Sequence, residues 1–192
     1  MTTGSGRGQP QMNRSTTPGA TSQLTDGTAV GRWVLDPSGS TAEFRVRHFW
    51  GAITVRGTLG PMAGEAAVSP DGMVTGRISF DARSLDTGHK QRDKHLRSAD
   101  FFHTDEHPQA VLTVTSAYPA GPDGLDCQGV LDVAGHARPV TFTAHIQEAG
   151  EQAVVLTAEL QVDRAEFGMT WSPLHMASMR ALGTVKALFT RA

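Results

Sequence analysis

The side chains able to do chemistry in this sequence are mostly histidines. His48 ends the apolar face of segment 41–49, in register with Ala42, Phe44 and Val46. A histidine in that place has two uses. It can bond a backbone carbonyl as a structural group, or it can orient the polar end of a ligand in an otherwise apolar pocket. His89, His95, His103 and His107, with Asp105 and Glu106 beside them, invite a metal reading. His103 and His107 have a usable spacing on a helix. Pro108 and the strand after it argue for a loop, and no further ligand is fixed by sequence, so no metal is expected. Arg92, Asp93 and His95 lie in a charged run that can pin a helix by hydrogen bonds and ion pairs. Alternatively, Arg92 or Arg97 can meet a phosphate or carbonyl at a cavity mouth. Cys127 is the single cysteine, which excludes an internal disulfide framework and a cysteine-based zinc site. It falls on the apolar face of its segment and reads as a small buried hydrophobe. There is no Gly-x-Ser-x-Gly elbow, phosphate loop or dinucleotide fingerprint. These observations favour binding over catalysis, with no cofactor.

The elements that must position these groups alternate with period two. Segment 53–59 sets Ile53, Val55, Gly57 and Leu59 opposite Thr54, Arg56 and Thr58. Segment 74–82 aligns Val74, Gly76, Ile78 and Phe80; segment 125–133 aligns Leu125, Cys127, Gly129, Leu131 and Val133. Segment 139–147 aligns Val140, Phe142, Ala144 and Ile146. With 41–49, 110–118, 153–163 and 183–190, these make eight strands. Turn signals such as Pro70-Asp71-Gly72 and Gly121-Pro122-Asp123-Gly124 separate them. Eight antiparallel strands with one apolar face close into a barrel or pack as a sandwich. A closed barrel of eight is just wide enough for one small ligand. The inward Gly57, Gly76 and Gly129 leave room or permit bends.

Two segments break the pattern. Residues 88–99 suit a short exposed helix on a crossover, with Asp86 or Thr87 near its start. Residues 172–183 carry a second helix signature, with Ser172 as N-cap, Pro173 at the first position and Gly183 after the end. Residues 1–30 hold 17 Gly, Ser, Thr or Pro and no apolar period, which predicts a disordered, dispensable tail followed by one domain over 31–192. That stretch has no continuous apolar core of a signal peptide, so a cytoplasmic location is expected. No apolar run approaches the ~18 residues of a membrane span. The net charge of -2 leaves no footprint for nucleic acid.

A resemblance follows from Trp33, Asp36-Pro37, Phe44-Arg45-Val46-Arg47-His48, Gly57 and Ile78-Ser79-Phe80-Asp81-Ala82-Arg83-Ser84-Leu85. It continues through Arg92-Asp93-Lys94-His95-Leu96-Arg97-Ser98, Asp100-Phe101-Phe102, Gly135, Pro139 and Asp163-Arg164-Ala165-Glu166-Phe167-Gly168. In order and spacing the chain, from about residue 32 onward, closely resembles the YceI-like, or polyisoprenoid-binding, family. The resemblance implies an all-β, eight-stranded lipocalin-like barrel with a long hydrophobic cavity, often a homodimer. It also implies binding, storage or transport of polyprenyl quinones or phosphates, or of other long-chain amphiphiles. No catalytic residues carry over. The alternative is a cyclase or isomerase acting on a hydrophobic substrate, with His48 or His95 as acid or base. Expected ligand contacts come first from the inward strand positions Phe44, Val46, His48, Ile78, Phe80 and Phe142. The crossover adds Arg92 and Phe102. The segment before the last strand adds Met169, Trp171 and Met176, in a stretch whose methionines suit a mobile lid.

Overall fold

The computed structural model describes residues 19–48, 51–60, 62–172 and 177–192. Nine strands form one antiparallel sheet. They are β1 (Gly31–His48), β2 (Ile53–Leu59), β3 (Met62–Val68), β4 (Val74–Asp81), β5 (Gln109–Ala120), β6 (Gly124–Val133), β7 (His136–Ala149), β8 (Ala153–Asp163) and β9 (Ala177–Arg191). Neighbours in sequence pair from β3 to β9, and β9 pairs back onto β1, closing a barrel. The other side of β1 carries β3 along Gly31–Val34 and β2 along Ala42–His48. β2 and β3 therefore share one position, and the barrel has eight. The interruption between them falls where the sequence reads Gly60-Pro61, and proline has no N–H to give to a ladder. Closure leaves the sheet without a free edge along β1 and β9.

The strands form for the reason their sequences suggest. In β6, Leu125, Cys127 and Gly129 are buried while Asp126, Gln128 and Val130 are exposed. β3 and the first half of β1 were not expected. In β3 the inward Met62, Gly64 and Ala66 alternate with Ala63, Glu65 and Ala67, so little hydropathy contrast marks the period. In β1 the pairing with β9 shifts register between Asp36 and Thr41, which hides the continuity of the strand.

Two expectations are corrected. Residues 177–183 are strand, not helix: Asp163 pairs with Arg180 and Val162 with Ala181 on one side, and Val46 pairs with Ala181 on the other. Ala, Met, Arg and Leu are good helix formers, but a ladder on each side of this segment overrides local preference. Ser172 is not followed by a described helix; its Oγ accepts from the Ala177 N–H at 3.1 Å. Pro173, Leu174 and Met176 lie outside the described residues.

The second correction concerns the tail. Residues 1–18 lie outside the described residues, but 19–30 pack on the barrel. A short helix, α1 (Ser22–Thr25), buries Leu24. Thr21 donates its N–H to Pro122 O at 3.0 Å, and the Trp33 indole donates to Ala29 O at 2.9 Å. Arg191 donates to Thr28 O and Val30 O at 2.6 and 3.1 Å, with its guanidinium 4.8 Å from the Trp33 ring centre. One apolar side chain with a short polar frame closes this barrel end. Composition alone does not show this, because it averages Leu24 and Ala29 with their small neighbours. Leu24→Ala should cost roughly 2–5 kcal/mol, read as a lower urea midpoint. An unchanged midpoint would show that the plug is not part of the cooperative fold.

Candidate functional site

The far end of β1 from Trp33 opens into a cavity of about 250 Å³. Its walls are Ala42, Phe44 and Val46 of β1, Ala110 and Leu112 of β5, and Leu160 and Val162 of β8. An apolar cavity of about 150 Å³ takes up benzene, so this one has space for a larger apolar body. Two smaller cavities of about 80 and 60 Å³ continue toward α1. Leu112, Leu160 and Val185 border both the large cavity and the first small one, and so form the constriction between them.

The roof comes from the crossover between β4 and β5. A helix, α2 (Lys90–Arg97), starts at His89, whose Nδ1 accepts from the Arg92 N–H at 3.3 Å. The helix lies within the expected 88–99, with His89 as its cap rather than Asp86 or Thr87. Its charged residues tie it to the crossover segments on either side of it. Asp93 is buried and accepts from the Thr87 N–H at 3.0 Å and from the Thr87 hydroxyl. Burial pushes the Asp93 pKa up, but the Thr87 bonds and the charges of Arg97 and Arg92 bring it below the usual carboxylate value. Arg97 donates to Arg83 O at 2.8 Å and to Leu85 O. His95 contacts Asp100 at 3.0 Å. Arg92, Asp93 and Arg97 thus brace the helix against residues 83–87, and His95 against Asp100, all within the crossover.

Aromatic rings finish the roof. Phe102 meets Phe44 with centroids 6.2 Å apart. A Cβ on Gly57 would lie 2.4 Å from the Phe44 ring and 2.8 Å from Thr87 Cγ2, so glycine there makes space for that ring. At the mouth, His95 stands edge-on to Phe101 and to Trp171, at 5.2 and 4.4 Å between centroids. Trp171 remains 44% exposed.

Among the described residues, the ionisable groups on the lining are Glu43, His48, Arg92, His95 and Arg164. Glu43 belongs to the outer face and is exposed. Arg92 donates Nε to Thr87 Oγ1 at 2.8 Å and Nη2 to Thr87 O at 2.9 Å. Arg164 lies in the 3₁₀ turn Arg164–Phe167, which Asp163 caps by accepting from the Ala165 N–H at 2.9 Å. It is only 7% exposed. Its Nε donates to Ser178 O at 3.0 Å, its guanidinium lies 5.8 Å from the Phe101 ring centre, and its buried Nη2 has no hydrogen-bond partner among the described residues. Burial pushes the Arg164 pKa down, against the pull of Asp163, yet a guanidinium keeps its proton in proteins. Burial, then Arg164 and Arg92, lowers the His48 pKa. That places His48 as a neutral ring at neutral pH, able to donate from one nitrogen and accept at the other.

The structure brings Phe44, Val46, His48, Phe80, Arg92, Phe102, Met169 and Trp171 to this cavity. Ile78 and Phe142 border the first small cavity instead, because alternation names a strand's inner face and not the height along the barrel. Met176 lies outside the described residues. Leu160, Phe167 and Arg164 are lining residues that sequence reasoning did not single out, and Leu96 and Phe101, which it favours as packing anchors, line the cavity as well. For Arg164 the available signal was its place between an acidic cap and Phe167-Gly168 at a strand end, which does not say whether the side chain turns in or out.

A model of the YceI-like domain matches residues 33–187 of the chain. Protein YceI of Escherichia coli O157:H7 is 36% identical over 121 residues, which are 61% of this chain and 62% of that protein. A UPF0312 protein of Vibrio vulnificus is 31% identical over 123 residues, 62% of this chain and 65% of the relative. The match thus spans somewhat less than two thirds of these curated relatives. Among solved structures, BcnA of Burkholderia cenocepacia superposes with a TM-score of 0.73 at 17% identity, over 80% of this chain and 98% of the other. A polyisoprenoid binding domain from Saccharophagus degradans superposes with a TM-score of 0.70 at 16% identity, over 83% and 98%. These two share the barrel fold with this chain.

Proposed function

This chain belongs to the YceI-like domain family, and from that premise we propose that it binds and carries a long-chain amphiphile, its apolar body in the barrel and an oxyanion at its polar end. The observation that carries the reading is Arg164, a buried guanidinium on an apolar cavity whose Nη2 is unpartnered among the described residues. Buried polar groups are almost always satisfied, and each exception asks for an explanation. A phosphate or carboxylate oxygen at that N–H supplies the missing acceptor through a charge-assisted bond. Arg92 adds a second positive charge on the same lining. Within the classes that the family resemblance implies, this selects polyprenyl phosphates and acidic lipids over plain quinones and hydrocarbons. The name of the Saccharophagus degradans neighbour, a polyisoprenoid binding domain, supports a long apolar body for the cargo. The protein holds its cargo rather than transforming it.

The test is native mass spectrometry of protein purified from its own host, with organic extraction of the same sample. The expected result is one acidic amphiphile per chain. The reading fails if the protein carries no lipid and neither a polyprenyl phosphate nor a long-chain fatty acid raises its melting temperature.

A further inference from the structure

Away from the cavity, we propose a metal site: the turn 103–107 binds a divalent transition-metal ion, of which Zn²⁺ is the reference, through His103, Glu106 and His107. The ligand atoms of these three side chains all lie within 4.8 Å of one another. His103 Nε2 is 3.5 Å from Glu106 Oε1. Zinc bonds nitrogen and oxygen at about 2.0–2.2 Å, so two ligand atoms on one tetrahedral ion stand roughly 3.4 Å apart. The His103–Glu106 pair already has that separation. His107 completes the set by a movement of about an ångström, within reach of a side-chain rotation.

The sequence disfavoured a metal because Pro108 denies His103 and His107 a helix. The structure agrees that this is a turn, and the turn is what assembles the ligands. His103 takes φ of 47°, a left-handed conformation uncommon outside glycine. The backbone around it is held. The His103 N–H donates to Ser98 O at 2.9 Å, Thr104 to Arg97 O at 3.0 Å, Glu106 to His103 O at 3.1 Å and His107 to His103 O at 2.8 Å. Thr104 is buried beneath. The His107 ring lies against Gly135, where a Cβ would come within 2.6 Å of it. Ligands presented from a held backbone lose little freedom on binding. Two imidazoles and one carboxylate suit Zn²⁺, Ni²⁺ or Cu²⁺ rather than Ca²⁺ or Mg²⁺. Three protein ligands leave a position open for water or an external group.

The test is calorimetric titration of the chelator-treated full chain with zinc chloride. One ion per chain with a Kd in the micromolar range or tighter is expected. At zinc concentrations about 100-fold above that Kd, the melting temperature should rise by roughly 5–10 °C. His107→Ala and Glu106→Gln should each weaken zinc binding at least about tenfold, as loss of a metal ligand does. His145→Ala, an exposed histidine on β7, should leave the affinity within about twofold. Glu106→Gln keeps the test open if His107→Ala does not fold by circular dichroism. Binding weaker than about 1 mM, or parental affinity in Glu106→Gln and in any folded His107→Ala, overturns the site.

Discussion

Replacing Arg164 with methionine should leave the ligand-free barrel about as stable as the parent, while weakening an acidic amphiphile roughly 10- to 150-fold. Loss of a side chain only 7% exposed ordinarily destabilises. Here two terms oppose each other. The bond from the charged Nε to Ser178 O is worth about 1.5–3 kcal/mol. Removing the Nη2 donor, unsatisfied among the described residues, returns about 1–3 kcal/mol of desolvation, and the unbranched methionine fills the vacated volume. With ligand bound, the balance tips toward arginine. A hydrogen bond to a charged acceptor is worth about 1.5–3 kcal/mol, which is the fold-change expected. Urea unfolding without ligand, and titration with a fatty acid and the primary alcohol of equal length, separate the terms. The parent should prefer the acid and the variant should lose that preference. A variant that is less stable by more than about 2 kcal/mol and still prefers the acid would make Arg164 a structural group.

The same residue shows how far the sequence could be read. Strand alternation exposes which side chains of a strand face inward, and so Phe44, Val46 and His48 were legible as a row. It carries no information about height, so Ile78 and Phe142 were placed in one site with Phe44 although they border the cavity below it. Where alternation is weak, the strand itself disappears: β3 is largely alanine and glycine on both faces. Where local preference and ladder disagree, as over 177–183, the local signal misleads, because pairing on both sides is a property of the closed barrel and of no short window. The charged crossover was legible as a pinning device, since buried charges such as Asp93 are kept only when partnered. Arg164 escaped because its inward turn depends on the register of β8 with β9, which no pattern around Asp163 reveals. The histidines of the turn 103–107 were noticed and set aside for a related reason. Spacing rules describe ligands on helices, and His103 and His107 are related instead by one isolated turn, closed by the bond from the His107 N–H to His103 O.

A tryptophan at Leu160 should cut long cargo off from the barrel while sparing short cargo. The energy of binding sets up the argument. Each buried methylene contributes ~0.8 kcal/mol, so a fully buried forty-carbon isoprenoid would nominally gain on the order of 30 kcal/mol. Non-covalent affinities saturate near roughly 18–21 kcal/mol. Part of such a chain must stay outside, or opening the protein must cost much of the gain. The cavity volumes bear on both terms. By proportion to the benzene-sized cavity of about 150 Å³, the cavity of about 250 Å³ holds roughly ten carbons. Anything longer has to pass Leu112, Leu160 and Val185 into the cavities of about 80 and 60 Å³ beyond. Leu160 is buried at that constriction, and a larger side chain there costs about 1–3 kcal/mol of stability by overpacking. For carboxylates of about ten and about eighteen carbons, the eight or so extra methylenes carry roughly 6 kcal/mol if all are buried. Leu160→Trp should therefore weaken the longer acid by about 100-fold or more and the shorter by no more than about threefold. Val185→Phe, at the same constriction, provides the comparison if the tryptophan variant does not fold. Equal losses for the two acids would show that the tail leaves by the mouth beside Trp171 and never enters the lower barrel.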